Sequence, residues 1–392
     1  MKSIVRGVGK RYEILIGNST RYLFREKDKW FIESEKYSLT ISGFYQQLMR
    51  YYRKMTSNRN LVRKRTSMRV CKLKRFFGSL LVVVFVSCML TGCAGNSAGK
   101  VNETEANASY VSEVFPLKRA GINLHLDCMK LEGTAPARNI LLIHGVTYSS
   151  HEFDINYQDY SLVRKLAREG YNVWRLDIAG FGSSEEVDDG FLPDTDYAAE
   201  DIAAAVDLII SETGQEKIDV LGWSWGTMTV SRFASAHPEQ VNKLILYAPI
   251  LCGIGEYEVD EPFHHNTWEH AADDFQRDDD GTFDDAITEP VIREMWCSSC
   301  WHYDRESSPN GGRRDICVSE KVKLIDLKQI TVPTLIICGS KDPYLNYDLI
   351  DTALENLPRG SELEVIEGGS HAVLVENPYY HDFQERLIRY LD

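Results

Sequence analysis

The chain has 392 residues, of which 43% are hydrophobic and 26% are charged, which is enough apolar sequence for a sizeable globular core. Its formal net charge of −14 is divided unevenly: residues 1–92 hold 20 Lys and Arg against 5 Asp and Glu, and the remainder holds 24 against 53. The acidic part lacks the clustered basic residues that phosphate contacts need, so we expect no nucleic-acid partner.

An apolar segment near residue 80 predicts export. Basic residues 68–75 precede an apolar run at 76–89, which is shorter than the roughly 20 residues needed to cross a bilayer. The run ends in Leu90-Thr91-Gly92-Cys93, which closely resembles the lipobox of bacterial lipoproteins. That resemblance implies a signal peptide at 68–92, lipid on Cys93, and an exported protein anchored at the bacterial cell surface or periplasmic face. An internal apolar helix with a chance Leu-Thr-Gly-Cys is the alternative.

The segments on either side of this signal differ in character. Residues 1–67 are basic and rich in Tyr, Phe and Arg. Because a signal peptide belongs at an N-terminus, we expect translation to begin at Met68, or this extension to be removed with the signal. A small cytoplasmic domain is the alternative. Residues 93–110 are rich in Gly, Ala, Ser, Asn and Glu without apolar periodicity, which predicts a flexible tether.

Strands and helices alternate from residue 110 to residue 250. Two strand-like stretches within 110–131 predict a hairpin that leads into the core. The apolar runs that follow lack polar alternation, as is typical of parallel strands buried on both faces. We predict strands at 139–145, 172–177, 217–222 and 241–249, and helices at 160–169, 197–211 and 227–236. This order predicts an α/β fold with a mainly parallel central sheet and helices on both faces.

The alternation breaks at residues 251–323, which are rich in Asp, Glu, His and Trp. It resumes with a strand at 334–338, a helix at 347–355, a strand at 362–366 and a final helix ending at 390. We therefore predict a core formed by residues 111–250 and 324–392. Since sites in such sheets lie at the carboxyl ends of strands, the insertion at 251–323 predicts a mostly helical lid over the site.

The motif Gly222-Trp223-Ser224-Trp225-Gly226 lies where a predicted strand gives way to a helix. This is G-x-S-x-G in the context of a nucleophile elbow, a sharp turn that exposes the serine above the sheet. Other motifs at strand ends are His144-Gly145, Asp177-x-x-Gly180-x-Gly182-x-Ser184, Gly339-x-x-Asp342 and Gly369-x-His371. Together these motifs resemble the α/β-hydrolase family over residues 111–392, with Ser, Asp and His in that family's chain order.

The resemblance implies a role for each of five residues. Ser224 is the expected nucleophile, His371 the base that takes its proton, and Asp342 the acid that orients the imidazole. The backbone N–H groups of Val146 and Trp225 are the expected oxyanion hole. The implied reaction is acyl transfer through an acyl-enzyme, with no cofactor and no metal.

Several of these residues have alternatives. Glu256, Glu258 or Asp260 could replace Asp342, because some family members carry the acid after the preceding strand. Asp177 and the turn at 180–184 are expected to be structural.

Two further patterns lie in the predicted lid. Cys297 and Cys300 form a closely spaced pair, which with a lid histidine would be a zinc half-site. Because no second pair exists, a disulfide from Cys297 to Cys300 or Cys317, or free thiols, is favoured. Cys338 lies in an apolar strand and is expected to be a buried thiol. The lid aromatics, which we expect to form lid core rather than substrate wall, are Trp268, Phe275, Trp296 and Trp301.

The substrate is less constrained than the reaction. Ser224-Trp225-Gly226 is similar to proline iminopeptidase-like members, but His144-Gly145 lacks the Gly-Pro-Gly that follows in them. A small to medium ester or related acyl compound is therefore favoured, with a peptide-like substrate and aminopeptidase activity as the alternative. In that alternative, Glu256 or Glu294 could bind the amine. A serine at 224 disfavours dehalogenases and epoxide hydrolases, which use an aspartate there. A non-catalytic, surface-tethered binding protein is the alternative from another class.

Overall fold

The computed structural model describes five short strands between residues 5 and 40, and residues 108–134, 138–277 and 281–392. It divides into two units, residues 1–107 and 108–392. In the first unit, five antiparallel strands are neighbours in chain order: β1 (Val5–Val8), β2 (Arg11–Ile16), β3 (Ser19–Glu26), β4 (Lys29–Ser34) and β5 (Ser38–Thr40). The predicted signal peptide, Cys93 and the tether as far as residue 107 lie outside the described residues.

The second unit is built on an eight-stranded sheet in the order β15-β14-β11-β10-β8-β9-β7-β6. Six neighbouring strands, β15 to β9 in that order, are parallel, and the β6–β7 hairpin is added antiparallel to β9. The strands are β6 (Tyr110–Arg119), β7 (Ile122–Leu131), β8 (Arg138–Ile143), β9 (Tyr171–Asp177), β10 (Ile218–Trp223), β11 (Val241–Tyr247), β14 (Thr334–Gly339) and β15 (Glu362–Ile366). The predicted hairpin and mainly parallel sheet are confirmed.

Helices cover both faces of this sheet, as the sequence predicts. The α-helices are α1 (Leu162–Arg168), α2 (Thr195–Thr213), α3 (Trp225–Ala236), α4 (Pro290–Tyr303), α5 (Gly311–Ile316), α6 (Tyr347–Asp351) and α7 (Tyr379–Leu391). Short 3-10 helices lie at Ser150–Phe153, His270–Ala272, Leu327–Gln329, Ala353–Asn356 and Val373–Val375. Helices α2, α3 and α6 pack on one face, and α1 and α7 pack on the other.

The apolar runs in the strands follow from this layering. In β8, Leu141 and Ile143 point into the core beneath α2 and α3, whereas Ile140 and Leu142 point into the core beneath α1 and α7. Because successive residues of a strand face opposite sides, both sets must be apolar when both sides are covered. The sheet is thereby fixed on both faces, and its carboxyl edge is a rigid base for a site.

The insertion at 251–323 is less helical than predicted. It contains α4, α5 and the short 3-10 helix His270–Ala272, together with two antiparallel strands, β12 (Phe263–His265) and β13 (Ser307–Pro309). Long stretches between these elements lack apolar periodicity, so nothing favours a helix there. Trp296 and Phe275 are buried in the lid, as expected of lid core. Within the described ranges, no helix is both long enough and apolar enough to span a membrane.

Candidate active site

The turn between β10 and α3 places Ser224 in an unusual backbone conformation. Ser224 has φ 57° and ψ −123°, and helix α3 begins at the next residue. A Cβ atom on Gly222 would overlap the carbonyl oxygen of Gly226, and one on Gly226 would lie 2.5 Å from the carbonyl oxygen of His144. Only glycine fits at both positions, so the sequence dictates a sharp turn with the serine at its tip.

Asp342 and His371 come together at the ends of β14 and β15. The Nδ1 atom of His371 lies 2.8 Å from Oδ2 of Asp342, and both side chains are buried. The other carboxylate oxygen of Asp342 accepts the backbone N–H of Tyr344 at 2.9 Å. His371 and Ser224 line one cavity of about 150 Å³. The acid is therefore placed to orient the imidazole beside the serine.

Two aromatic side chains fix the backbone of His371. The carbonyl oxygen of His371 accepts a hydrogen bond from Nε1 of Trp223 at 3.2 Å and another from the hydroxyl of Tyr247 at 2.9 Å. The rings of Trp223 and Tyr247 stack with centroids 5.4 Å apart. Trp223, which directly precedes Ser224 in the chain, therefore connects the elbow to His371. Trp225, in contrast, is fully buried and donates from Nε1 to Thr195 at 3.0 Å.

The electrostatics of the pair favour a protonated imidazole. Burial alone would lower the pKa of His371, but the Asp342 carboxylate more than offsets this, and the pKa is raised above its usual value. A higher pKa makes the histidine a stronger base toward a serine hydroxyl. The pair is thus suited to accept a proton and to hold it during a reaction.

The loop after β8 forms the opposite wall. Gly145 lies so close to Ser224 that an added Cβ would be 3.1 Å from the serine Cβ, and Val146 lines the cavity. Trp225 is the first residue of α3, where a backbone N–H has no partner within the helix. The predicted oxyanion-hole donors Val146 and Trp225 therefore flank Ser224.

His144 holds this loop rather than acting on substrate. Its Nε2 accepts the backbone N–H of Ile178 at 3.1 Å, so Nδ1 carries the proton and donates to the carbonyl of Gly145 at 2.7 Å. Burial lowers the pKa of His144, which favours this neutral tautomer. The His-Gly motif is thus a means of fixing the backbone next to the serine.

Asp177 has the structural role that the sequence predicts. Its buried carboxylate accepts hydrogen bonds from the backbone N–H and hydroxyl of Ser150 and from the N–H of Ser183. Burial would raise the pKa of Asp177, but His151, His144 and these donors lower it. The side chain does not line the cavity around Ser224. It ties the loop after β9 to the loop after β8.

A second carboxyl group, Asp304 at the end of α4, connects the lid to these loops. It accepts the N–H and the hydroxyl of Ser149 at 3.1 and 3.0 Å, and the N–H of Gly182 at 3.0 Å. Burial raises the pKa of Asp304 to about 8, and the nearby Asp177 carboxylate adds to this rise. Asp304 carries no distinguishing signal in the sequence, because an aspartate after a helix is common.

Other acids proposed from the sequence lie away from the cavity. Glu256, Glu258 and Asp260 are exposed and do not line it, and Asp342 is the acid that contacts His371. Glu294, considered for amine binding, does not line it either. The carboxyl groups that do line it are Glu152, Asp273 and Asp274.

The cysteines of the second unit are free thiols, so neither disulfide considered for the lid is formed. Cys338 is fully buried, as predicted. Cys297 and Cys300 do not join a histidine in a group of three or more metal ligands anywhere in residues 108–134, 138–277 and 281–392. The zinc half-site is therefore not assembled there.

The cavity also contains residues that sequence reasoning missed. Arg313 from α5 is in its wall, together with Tyr148 and His270, whose hydroxyl and Nδ1 lie 3.2 Å apart. The neighbouring Gly312 packs so tightly that a Cβ there would overlap the indole of Trp225. The only signal was the sequence Gly-Gly-Arg-Arg, which does not tell which arginine faces inward.

Comparison with known proteins agrees with this architecture. Residues 138–293 match the family model for the alpha/beta hydrolase fold. A Synechocystis protein provisionally named a non-heme chloroperoxidase is 26% identical over 255 residues, which are 62% of this chain and 87% of that protein. Mouse gastric triacylglycerol lipase is 31% identical over 111 residues, but these are only 26% of this chain and 28% of the lipase.

Solved structures show the same fold. A bromoperoxidase from Bacillus anthracis superposes with a TM-score of 0.52 at 21% identity, covering 72% of this chain and 99% of that one. A thermophilic esterase from Thermogutta terrifontis gives a TM-score of 0.50 at 19% identity, covering 72% and 98%. With the parallel sheet, the elbow and the family match over residues 138–293, these likenesses lead to one conclusion: residues 108–392 have the alpha/beta hydrolase fold.

Proposed function

We propose that the chain is a serine hydrolase that cleaves carboxylic esters or related acyl compounds through Ser224, His371 and Asp342. The observation that carries the proposal is that His371, whose Nδ1 lies 2.8 Å from Oδ2 of Asp342, lines the same cavity as Ser224. Relatives and structural neighbours named as lipases and esterases support an ester substrate.

The proposed reaction has two halves. The Ser224 hydroxyl attacks the ester carbonyl while Nε2 of His371 takes its proton. The backbone N–H groups of Val146 and Trp225 then donate hydrogen bonds to the oxyanion that forms. The C–O bond breaks as His371 returns the proton to the leaving alcohol. Water then attacks the acyl-enzyme with His371 again as base, which releases the acid and restores the serine. Asp342 stabilises the imidazolium in both halves.

A fluorophosphonate probe tests the nucleophile, because it phosphonylates an activated serine. We expect the wild type to be labelled, and Ser224→Ala to lose labelling and to lose ester hydrolysis by at least about 10⁴-fold. Ser183→Ala, which alters an exposed serine, is the matched control and should be labelled like the wild type. An unlabelled wild type, or undiminished labelling of Ser224→Ala, would refute the mechanism and favour a binding protein.

The same preparation decides between ester and peptide substrates. We expect 4-nitrophenyl esters to be cleaved and aminoacyl 4-nitroanilides to be left uncleaved, and the cavity of about 150 Å³ favours short acyl groups over long ones. Faster cleavage of the anilides would favour the aminopeptidase alternative.

We also propose that the enzyme is a lipoprotein with lipid on Cys93. Support comes from the sequence alone: a basic stretch, an apolar run too short to span a bilayer, and the Leu-Thr-Gly-Cys that closes it. By this proposal the hydrolase works outside the cytoplasm, on a tether anchored in a membrane.

A further inference from the structure

Arg313 is the only Lys or Arg among the described residues that line the cavity around Ser224. Its Nε donates to Oδ1 of Asn310 at 3.1 Å, and its Nη2 donates to the hydroxyl of Thr147. Both partners are neutral oxygens. Within the described part of the chain, its guanidinium forms no ion pair with a carboxylate, and Nη1 donates no hydrogen bond.

None of the described acids of the cavity forms an ion pair with Arg313. Asp273 is exposed and pairs with Arg277 instead, at 3.5 Å. Burial raises the pKa of Asp274, and burial together with the nearby Asp304 raises that of Glu152 well above its usual value, so both shift toward the neutral form. Arg313 cannot become neutral in this way, because a guanidinium stays protonated at neutral pH even where burial lowers its pKa. Among the described residues that line the cavity, Arg313 is therefore the group with a permanent positive charge, and no carboxylate is paired with it.

A guanidinium that is largely withdrawn from water and lacks a counter-charge is costly to the protein. A carboxylate on a ligand would remove that cost, because its two oxygens match the guanidinium fork and form short, charge-assisted hydrogen bonds. Arg313 is held ready for such a ligand, since Asn310 and Thr147 orient its plane. Thr147 itself belongs to the loop that carries Val146, next to Ser224.

We propose that Arg313 binds a carboxylate on the substrate, so that the preferred substrates are small half-esters: compounds with one ester bond and one free carboxylate. The inference rests on the proposed ester hydrolysis and adds the class of substrate. The cavity of about 150 Å³ limits that class to short acyl groups.

The experiment compares matched pairs of methyl esters. Monomethyl succinate, glutarate and adipate are tested against methyl butanoate, pentanoate and hexanoate, with acid release followed at constant pH. We expect the wild type to prefer the half-esters, and the ratio of the two kcat/KM values to fall about 10- to 100-fold in Arg313→Gln. The ratio of the two kcat/KM values is used because Arg313→Gln also removes the hydrogen bond to Thr147, and any loss of activity from that cause affects both esters alike. Arg313→Lys, which keeps the charge but not the fork, should restore part of the preference.

Arg314 provides the matched control. It is the next residue of α5, but it is exposed, and its guanidinium lies 4.7 Å from the ring centroid of Phe191. Arg314→Gln removes the same charge without touching the cavity, so its half-ester preference should equal that of the wild type. If the half-ester preference fell equally in Arg313→Gln and Arg314→Gln, it would depend only on the overall charge near the cavity. That result would overturn the proposal.

Binding of glutarate, measured by calorimetry, does not depend on turnover. We expect the wild type to bind glutarate and Arg313→Gln to bind it at least about 10-fold more weakly. If the wild type hydrolyses neutral esters but shows neither half-ester preference nor glutarate binding, this inference is wrong and the proposed function stands. If glutarate binds but no ester is cleaved, the proposed function fails alone. Preference for aminoacyl esters that is lost in Asp274→Asn would assign the cavity to amines instead.

Discussion

The position of His371 depends on the side chains of three other residues. The backbone of His371 is fixed by Trp223 and Tyr247, and its imidazole is fixed by Asp342. A side chain held by three partners loses little freedom when a reaction begins, which is how preorganised sites lower their barriers.

Replacement of Asp342 by asparagine tests this arrangement through pH. In the wild type, activity should rise with pH as His371 loses its proton, and the raised pKa of His371 sets that rise. Asp342→Asn removes the charge that raises the pKa but leaves the burial that lowers it. We therefore expect kcat/KM to fall about 10⁴-fold and the acid limb of the remaining activity to move to lower pH, as measured in pH–rate profiles.

Asp260 supplies the control for that experiment. It is an exposed acid in the stretch where some family members carry the third catalytic residue. Asp260→Asn should keep the wild-type profile. If kcat/KM fell strongly in Asp260→Asn but little in Asp342→Asn, Asp342 would not be the acid that acts on His371.

Among the elements, the junction of β8, β10 and α3 leaves no room for a methyl group. A Cβ on Gly226 would lie 2.5 and 2.8 Å from the carbonyl oxygens of His144 and Ile143. We expect Gly226→Ala to push α3 away from β8, to lower the free energy of unfolding by about 1–3 kcal/mol, and to reduce kcat/KM because Ser224 moves. Denaturant unfolding and ester hydrolysis measure the two effects.

Gly214 separates steric overlap from backbone strain. It ends α2 with φ 71°, but no atom lies within 4 Å of an added Cβ. Gly214→Ala should cost about 1 kcal/mol of stability and leave kcat/KM unchanged. If Gly226→Ala kept the kcat/KM of the wild type, the junction of β8, β10 and α3 would have room for a methyl group after all.

The link between the lid and the loops after β8 and β9 should respond to pH. Because the pKa of Asp304 is raised to about 8 in the folded protein, from an ordinary value of 3.8, the folded state retains a proton that the unfolded state releases. Its stability contribution is therefore complete below pH 3.8 and is lost as pH rises toward 8. Asp304→Asn cannot titrate, so the Tm difference, wild type minus variant, should decrease between pH 5 and pH 8.

Asp188, which is exposed, is the control for this titration. Asp188→Asn should show a Tm difference from the wild type that stays constant over the same pH range. A constant difference for Asp304→Asn as well would show that its carboxyl does not titrate in this window.

The triad candidates could be predicted because each follows an apolar strand, and the carboxyl ends of parallel strands meet at one edge. Arg313 could not be predicted in this way. It has the same side chain as Arg314, and α5 is too short for a periodic apolar pattern to tell them apart. Which arginine faces the cavity is decided by the packing of Gly312 against Trp225, a contact between residues far apart in the chain. The sequence overestimates the helical content of the lid for the same reason, because β12 and β13 pair although they are far apart in the chain.

At the scale of the whole molecule, the proposed lipid anchor can be tested directly. We expect cells fed an alkynyl fatty acid to label the wild type, and Cys93→Ala to be unlabelled and absent from the membrane fraction as mature protein. Cys88→Ala, which changes a cysteine inside the apolar run, is the control and should be labelled normally. Normal labelling of Cys93→Ala would refute the anchor.

The direction of β6 determines at which edge of the sheet the proposed tether would be attached. Strand β6 is antiparallel to β7, and β7 is antiparallel to β9, so β6 runs in the same direction as the six parallel strands. Its first residue, Tyr110, therefore lies at the amino edge of the sheet, whereas Ser224 follows a carboxyl end. A ten-residue strand is about 34 Å long. A lipid attached ahead of Tyr110 would therefore hold the domain by the edge of the sheet opposite to the edge that carries Ser224, so the tether would not have to pass the cavity.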